Sequence, residues 1–328
     1  MSSVTATSTA AISAHGLVRE FDGKRAVNGV DLSVQPGEIY GFLGPNGAGK
    51  STCVRMLSTL LLPTAGTALV AGYDVAEDPR DVRLRIGLAL QEAALDDKQT
   101  GRELLTLQGR LYGLTKAETA KRISAITEFI DLGDAFDDLL GTYSGGMKRR
   151  VDLAAALVHS PEVLFLDEPT TGLDPLSRTK VWDEVRSLND ELGMTVFLTT
   201  QYLEEADELA DRVGIINHGE LVVEGSPTDL KKSIGTDVIV ARVDAPDKAH
   251  AALDGVEGVA AVDVRGDEVQ VGTTDGASLI SPVAIALASA GVGVENLALR
   301  TPTLDDVFIS VTGERLADAA ETTSEESA

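Results

Sequence analysis

The sequence predicts an α/β fold on a largely parallel sheet, interrupted by a helical insertion and followed by a smaller α+β module. Three observations carry that expectation. Short apolar runs alternate with longer helical patterns between residues 38 and 200, as strands and crossover helices do. A block at 101–140 is helical in pattern, with Gly113 and Gly133 as its breaks. Beyond 226–236, a stretch holding a Pro, two Lys and a Gly, the chain turns to short β-rich runs.

In chain order, residues 1–11 are Ser/Thr/Ala-rich and predict a disordered leader. The first basic residue is Arg19, so neither the positive start of a secretory signal nor the arginines of a transit peptide are present. The run at 38–43 (EIYGFL) reads as a strand, a Gly-rich turn follows, and 50–62 reads as a helix. Two further apolar runs, 163–166 (VLFL) and 195–199 (TVFLT), have the length and composition of buried strands. The main domain is expected over 12–225, with the insertion at about 92–145, and 226–236 as a linker.

The accessory domain is expected over 237–315, as a β-α-β-β-α-β, ferredoxin-like module. Its strands read at 238–243, 259–264, 269–272 and 294–299, and its helices at about 246–254 and 277–290. Arg265-Gly266-Asp267 joins the second and third strands as hairpin-turn chemistry. Thr303 followed by Asp306 approximates a capping box, after which Leu304, Val307, Phe308 and Val311 share one helical face. The stretch from Gly276 to Val294 is uncharged but is broken by Ser281, Pro282 and Gly291, which suits a soluble helix and turn better than a bilayer span. Residues 316–328 form an acidic tail.

Composition removes whole classes of function. The chain has 28 Lys+Arg against 52 Asp+Glu, a formal charge of −24, so no basic surface is available to neutralise nucleic-acid phosphates. The same charge predicts strong self-repulsion that salt relieves. One cysteine, Cys53, excludes an internal disulfide and a Cys-based zinc cluster, and its place one residue after Thr52 reads as core packing. The four histidines lack metal-ligand spacing.

Residues 44–52 read GPNGAGKST, a G-x-x-x-x-G-K-[ST] phosphate-binding loop placed between a predicted strand and helix. Gly44, Pro45, Asn46, Gly47, Ala48 and Gly49 would wrap backbone N–H groups around a polyphosphate, helped by the positive end of the helix. Lys50 would reach the β/γ-phosphates, Ser51 would ligate Mg²⁺, and Thr52 would add a phosphate hydrogen bond. In VLFLDEP, Asp167 ends an apolar strand where it can hold Mg²⁺ through water, and Glu168 stands where a general base is needed.

With these motifs, Thr142–Met147 (TYSGGM) and Thr170–Asp174 (TTGLD) make the chain resemble the nucleotide-binding subunits of ABC transporters, a P-loop NTPase class. That resemblance implies ATP and Mg²⁺ as cofactors. It also implies that Ser144, Gly145 and Gly146 grip ATP held in the P-loop of a second copy. Phe21 resembles the aromatic that stacks on adenine, and Gln91 the glutamine that approaches Mg²⁺ and the water and hinges the insertion. Asp174 resembles an aspartate at the subunit interface. Tyr143 and Met147 depart from the usual Leu and Gln, and Gln201 stands where most of the class has a switch histidine. A glutamine can donate a hydrogen bond to a γ-phosphate but cannot shuttle a proton, so Gln201 is assigned to sensing and Glu168 to water activation.

YSGGMKRR, FLDEPTTGLDP, LTTQYLEEADELADR and TLDDVFISVTG are similar to the daunorubicin/doxorubicin-resistance type of exporter ATPase. The likeness implies a subunit on the cytoplasmic side of the membrane that powers export through a separate integral-membrane permease. Exporters of lipids, glycans or ions share this layout. Lys148, Arg149 and Arg150 spread around a helix axis and read as solvated or interface residues, not as one lipid-binding patch.

Overall fold

The computed structural model describes residues 10–91, 95–131, 133–235 and 237–313; the expected acidic tail and most of the expected leader lie outside them. Contacts divide the chain into two units, one running to Pro227 and the other spanning Thr228–Gly313.

In the first unit, β1 (Ile12–Phe21) and β2 (Lys24–Val34) form a hairpin, followed by β3 (Ile39–Leu43), α1 (Lys50–Leu57), β4 (Ala65–Val70), β5 (Tyr73–Asp74), α2 (Pro79–Arg83) and β6 (Ile86–Ala89). The insertion carries α3 (Gly101–Leu111) and α4 (Lys116–Phe129), then two short 3₁₀ turns and α5 (Gly145–Leu157). The chain returns through β7 (Val163–Asp167), α6 (Pro175–Leu192), β8 (Thr195–Thr200), α7 (Leu203–Leu209), β9 (Arg212–Asn217) and β10 (Glu220–Gly225).

The central sheet has the order β10-β9-β3-β8-β7-β6, parallel except for β10 at its edge. Every residue of β3, β7 and β8 is buried, which is why these strands read as continuous apolar runs. On one face Tyr40, Phe42, Phe165 and Phe197 make an aromatic cluster with centroids 5.5–6.5 Å apart, in a core that also takes in Cys53 and Met56 of α1. On the other face Leu164, Leu166, Val196 and Leu198 pack against α5, α6 and the insertion. Burial pushes the Cys53 thiol up to about 12, so it behaves as a small apolar side chain.

A second, antiparallel sheet of order β2-β1-β4-β5 covers the aromatic side. Its strands carry little alternation in sequence. A register shift between Ala14 and Leu17 and a positive φ at Gly29 break the period.

Helix α1 ends at Leu57, not at the expected Leu62. Thr59 adopts φ 64°, a conformation costly for a β-branched residue, and the guanidinium of Arg83 holds it there by donating to the Thr59 Oγ1 (2.7 Å) and carbonyl. The insertion helices start where capping boxes place them, Thr100 with Glu103 and Thr115 with Glu118.

The second unit opens with α8 (Pro227–Ile234), so most of the expected linker is helical. Its Pro, Lys231, Lys232 and the Gly235 that follows are start and stop signals, with an acid in the first turn and cations in the last. Then come β11 (Asp237–Val243), α9 (Pro246–Leu253), β12 (Ala261–Arg265), β13 (Glu268–Thr273), α10 (Gly276–Ser289), β14 (Val294–Arg300) and α11 (Leu304–Thr312). The antiparallel order β12-β13-β11-β14 is the ferredoxin-like arrangement. Ile239, Ala241, Val243, Val269 and Val271 alternate inward against α9 and α10. Gly266, at φ 66°, turns the β12–β13 hairpin, and the Thr303–Asp306 capping box starts α11. No helix among the described residues is long and apolar enough to cross a membrane.

Candidate functional site

Four adjacent parallel strands deliver the candidate residues at their carboxyl ends. The Gly-rich loop follows β3, Gln201 follows β8, Asp167 and Glu168 end β7, and Gln91 follows β6. The register aligns these ends, with Leu43 opposite Thr200, Asp167 opposite Thr199 and Ala89 opposite Leu166. In open α/β sheets this crevice is where ligands bind.

The loop from Gly44 to Gly49 turns tightly. The Gly44 N–H donates to the Thr200 carbonyl (3.3 Å), and a Cβ on Gly44 would lie 2.4 Å from the Ile216 carbonyl oxygen. Gly49 caps α1 at φ 108°, where a Cβ would strike the Ala26 carbonyl oxygen at 2.5 Å. Pro45 and Ala48 are buried, whereas Asn46 and Gly47 face out at the tip, with Gly47 at φ 78°. Such a loop presents backbone N–H groups to an anion.

Lys50 is buried and donates to the carbonyls of Gly44 (2.8 Å) and Pro45 (3.1 Å) while pairing with Glu168 Oε1 at 3.2 Å. Burial pulls its pKa down, and the Glu168 carboxylate opposes that shift. The Ser51 hydroxyl donates to Asp167 Oδ1 at 3.0 Å, and the Thr199 hydroxyl donates to the same oxygen at 2.6 Å. Thr52 is half-buried beside Ser51. Among the described residues no basic side chain forms an ion pair with Asp167. Its carboxylate beside a serine hydroxyl therefore fits a divalent cation with oxygen ligands.

Glu168 has φ 48°, strained for a residue of its size. Its N–H donates to both the carbonyl and the hydroxyl of Thr199 (3.1 Å each), and Thr171 donates to its Oε2 at 3.1 Å. Strain compensated this way fixes the direction of one carboxylate.

The other expected residues divide into two groups. Gln201 is half-buried beside Thr200, which bonds the loop, while Gln91 lies exposed just beyond β6. Away from these, Ser144 caps α5 by accepting from the Met147 N–H, Ser144 and Gly145 are exposed, and Gly146 packs beside Ser177. Asp174 caps α6, accepting from Ser177 N–H (3.0 Å) and Oγ (2.6 Å). No hydrogen bond among the described residues joins Ser144–Gly146 to the loop at 44–49. Phe21 sits at the exposed end of the β1–β2 hairpin under the Arg19 guanidinium, 4.5 Å from its ring centroid, so it is not core.

Four residues carry more than their sequence suggests. Tyr143, which stands where a Leu was expected, is buried and donates to the Ala135 carbonyl at 2.6 Å, and Met147 packs on the core. Thr199 joins Asp167 to Glu168, yet TVFLTT reads only as strand. Of the solvated or interface roles expected for these cations, burial removes the solvated one for Arg149, whereas Lys148 and Arg150 reach out to Asp97 and Asp131. Three adjacent helical cations point three ways, and only burial separates them.

The family model for ABC transporters matches residues 27–171, and one described as the C-terminal domain of DrrA1-3-like ATP-binding proteins matches 225–312. The daunorubicin/doxorubicin resistance ATP-binding protein DrrA of Streptomyces peucetius is 47% identical over 316 residues, covering 93% of each chain. The linearmycin resistance ATP-binding protein LnrL of Bacillus subtilis is 36% identical, covering 94% of this chain and all of that one. Among solved structures, cbiO1 from Clostridium perfringens superimposes with a TM-score of 0.63 at 26% identity, over 69% of this chain and 93% of that one. A dimeric ATP-binding cassette in a post-hydrolysis state, bound to ADP and Pi, gives 0.59 at 25% identity, over 66% and 98%.

Proposed function

The chain belongs to the ATP-binding proteins of ABC transporters, and from that premise we propose that it hydrolyses Mg·ATP to power export of a drug or other hydrophobic compound through a separate integral-membrane permease. The observation that carries the reading is the pairing of the two motifs, Ser51 with Asp167 at 3.0 Å and Lys50 with Glu168 at 3.2 Å. ATP would bind with its phosphates in the 44–52 loop, where Lys50 takes the β/γ oxygens and the backbone N–H groups take the rest. Ser51, Asp167 and Gln91 would hold Mg²⁺, which when bound neutralises charge on the phosphate oxygens.

Glu168 supplies the base. Its Oε1 pairs with Lys50 at 3.2 Å, and phosphate oxygens competing for Lys50 would leave that oxygen to accept a proton from the attacking water. The water oxygen then bonds to the γ-phosphorus as the bond to the ADP oxygen breaks. Gln201, beside the loop, donates to the γ-phosphate. Ser144 and Gly145 are exposed at a helix N-terminus, with Gly146 behind them, which supports the reading that the three close on ATP bound to a second copy, with Asp174 at that seam and Phe21 on the adenine. The hinge at Gln91 and the insertion would carry the motion to the permease on the cytoplasmic face of the membrane. The drug-resistance roles of the relatives from Streptomyces peucetius and Bacillus subtilis support this direction.

The test is phosphate release by the purified chain, then efflux of a fluorescent anthracycline from cells expressing it with and without its permease. Lys50→Ala is expected to abolish nucleotide binding and Glu168→Gln to lower turnover by at least about 100-fold with ATP still bound. Hydrolysis by Glu168→Gln at the parental rate removes Glu168 as the base, and efflux indifferent to the permease removes the transport reading.

A further inference from the structure

Arg149 lies on α5, five positions after Ser144, and is only 8% exposed. Its guanidinium donates to the Leu90 carbonyl at 2.7 Å, and at longer range to the carbonyls of Ala89 (3.5 Å) and Asp167 (3.4 Å). Asp152, one turn on, is its counter-ion at 3.3 Å. The ladder between β6 and β7 ends at the pair Ala89–Leu166. Arg149 therefore bridges the two strands just where their own hydrogen bonds stop. One strand end leads directly to Gln91 and the other is Asp167–Glu168. A rigid, planar fork presents separate donor nitrogens to the carbonyls of the two strands, where an ammonium offers a single nitrogen on a flexible stem.

From this geometry we propose that Arg149 is a positioning residue for the hydrolytic site, tying the Gln91 segment and the Asp167–Glu168 strand end to the helix that begins at Ser144. The proposal rests on the ATPase reading above. Its consequence is mechanical: displacement of α5 when Ser144–Gly146 engage a phosphate moves Gln91 and Glu168 together. The buried guanidinium carries a desolvation cost, and Asp152 offsets part of it.

The experiment is a double-mutant cycle at pH 7.5 in the full chain. Arg149→Lys keeps the charge beside Asp152 but replaces the fork's separate donor nitrogens with one. It is expected to lower kcat by about 5- to 10-fold, with the Kd for trinitrophenyl-ATP within about twofold. Because one of the two strand ends that Arg149 holds leads to Gln91, Arg149→Lys combined with Gln91→Ala is expected to lose less than the product of the two single losses. Amide hydrogen exchange is expected to quicken at 89–91 and 167–168 in Arg149→Lys and to stay unchanged at 44–52.

Parental kcat in Arg149→Lys, or multiplicative losses in the double variant, overturns the proposal, and so does unchanged exchange at 89–91. Arg149→Leu with Asp152→Leu removes the buried pair as a unit. Recovery of Tm without recovery of kcat supports positioning, and joint recovery reduces Arg149 to packing. A parental chain without Lys50-dependent hydrolysis would sink the ATPase reading instead, while the exchange result still reports on the tie itself.

Discussion

Thr199 offers the sharpest single perturbation of the site. It is fully buried, donates to Asp167 Oδ1 at 2.6 Å and accepts from the Glu168 N–H at 3.1 Å. Thr199→Val keeps the shape and deletes both bonds, while the Glu168 N–H retains the Thr199 carbonyl at 3.1 Å. The larger loss is the charge-assisted bond to the carboxylate, worth about 1.5–3 kcal/mol. With 1.36 kcal/mol per factor of ten, kcat should fall by about 10- to 160-fold. The P-loop contacts of Lys50 do not involve Thr199, so ATP affinity should move by less than about threefold. Steady-state phosphate release across ATP and Mg²⁺ concentrations, with equilibrium nucleotide binding alongside, reads both quantities. Thr199→Ser, which keeps the hydroxyl, should recover most of the rate. Parental kcat in Thr199→Val, or equal damage in Thr199→Ser, would refute the argument that the hydroxyl holds the two carboxylates in place.

Two further outcomes follow from charge. Burial raises the pKa of Asp152 to about 6, against the pull of Arg149. The folded state therefore binds more protons than the unfolded state between pH ~4 and ~6, so this contribution is full below pH ~4 and lost as pH rises through ~6. Replacing Asp152 with Asn should make stability fall less between pH 4.5 and 7, by about 2 kcal/mol, as measured by urea unfolding at those two pH values. Equal pH slopes would contradict the shift. The net charge of −24 predicts a Tm that climbs as KCl rises toward 1 M, where the screening length is about 3 Å, and a flat response would show that self-repulsion is not limiting.

The site was legible where chemistry dictates both residue type and spacing. A loop that turns on Gly44, Gly47 and Gly49 and a strand ending in Asp167-Glu168 can be recognised before any contact is known. The shared edge that brings Ser51 to Asp167 follows from parallel strands in register. Residues acting through tertiary contacts left no such trace. Thr199 looks like any buried strand threonine, and Arg149 is one of three consecutive helical cations until α5 turns it inward. Local overrides hid elements too: bulges masked the β1–β2 hairpin, Arg83 pins Thr59 where α1 stops, and Pro227 and Gly235 bound a helix where breakers suggested a linker. The accessory module was the easier half, because its alternating strands each keep one face on a single core.

The central claim is that two copies enclose ATP, each pairing its own loop and carboxylates with the partner's Ser144–Gly146 segment. Sedimentation of the Glu168→Gln chain with Mg·ATP tests it most directly. A stable dimer holding two ATP, reverting to monomer when Lys50→Ala is added, is the predicted result. A chain that stays monomeric while saturated with ATP would contradict it.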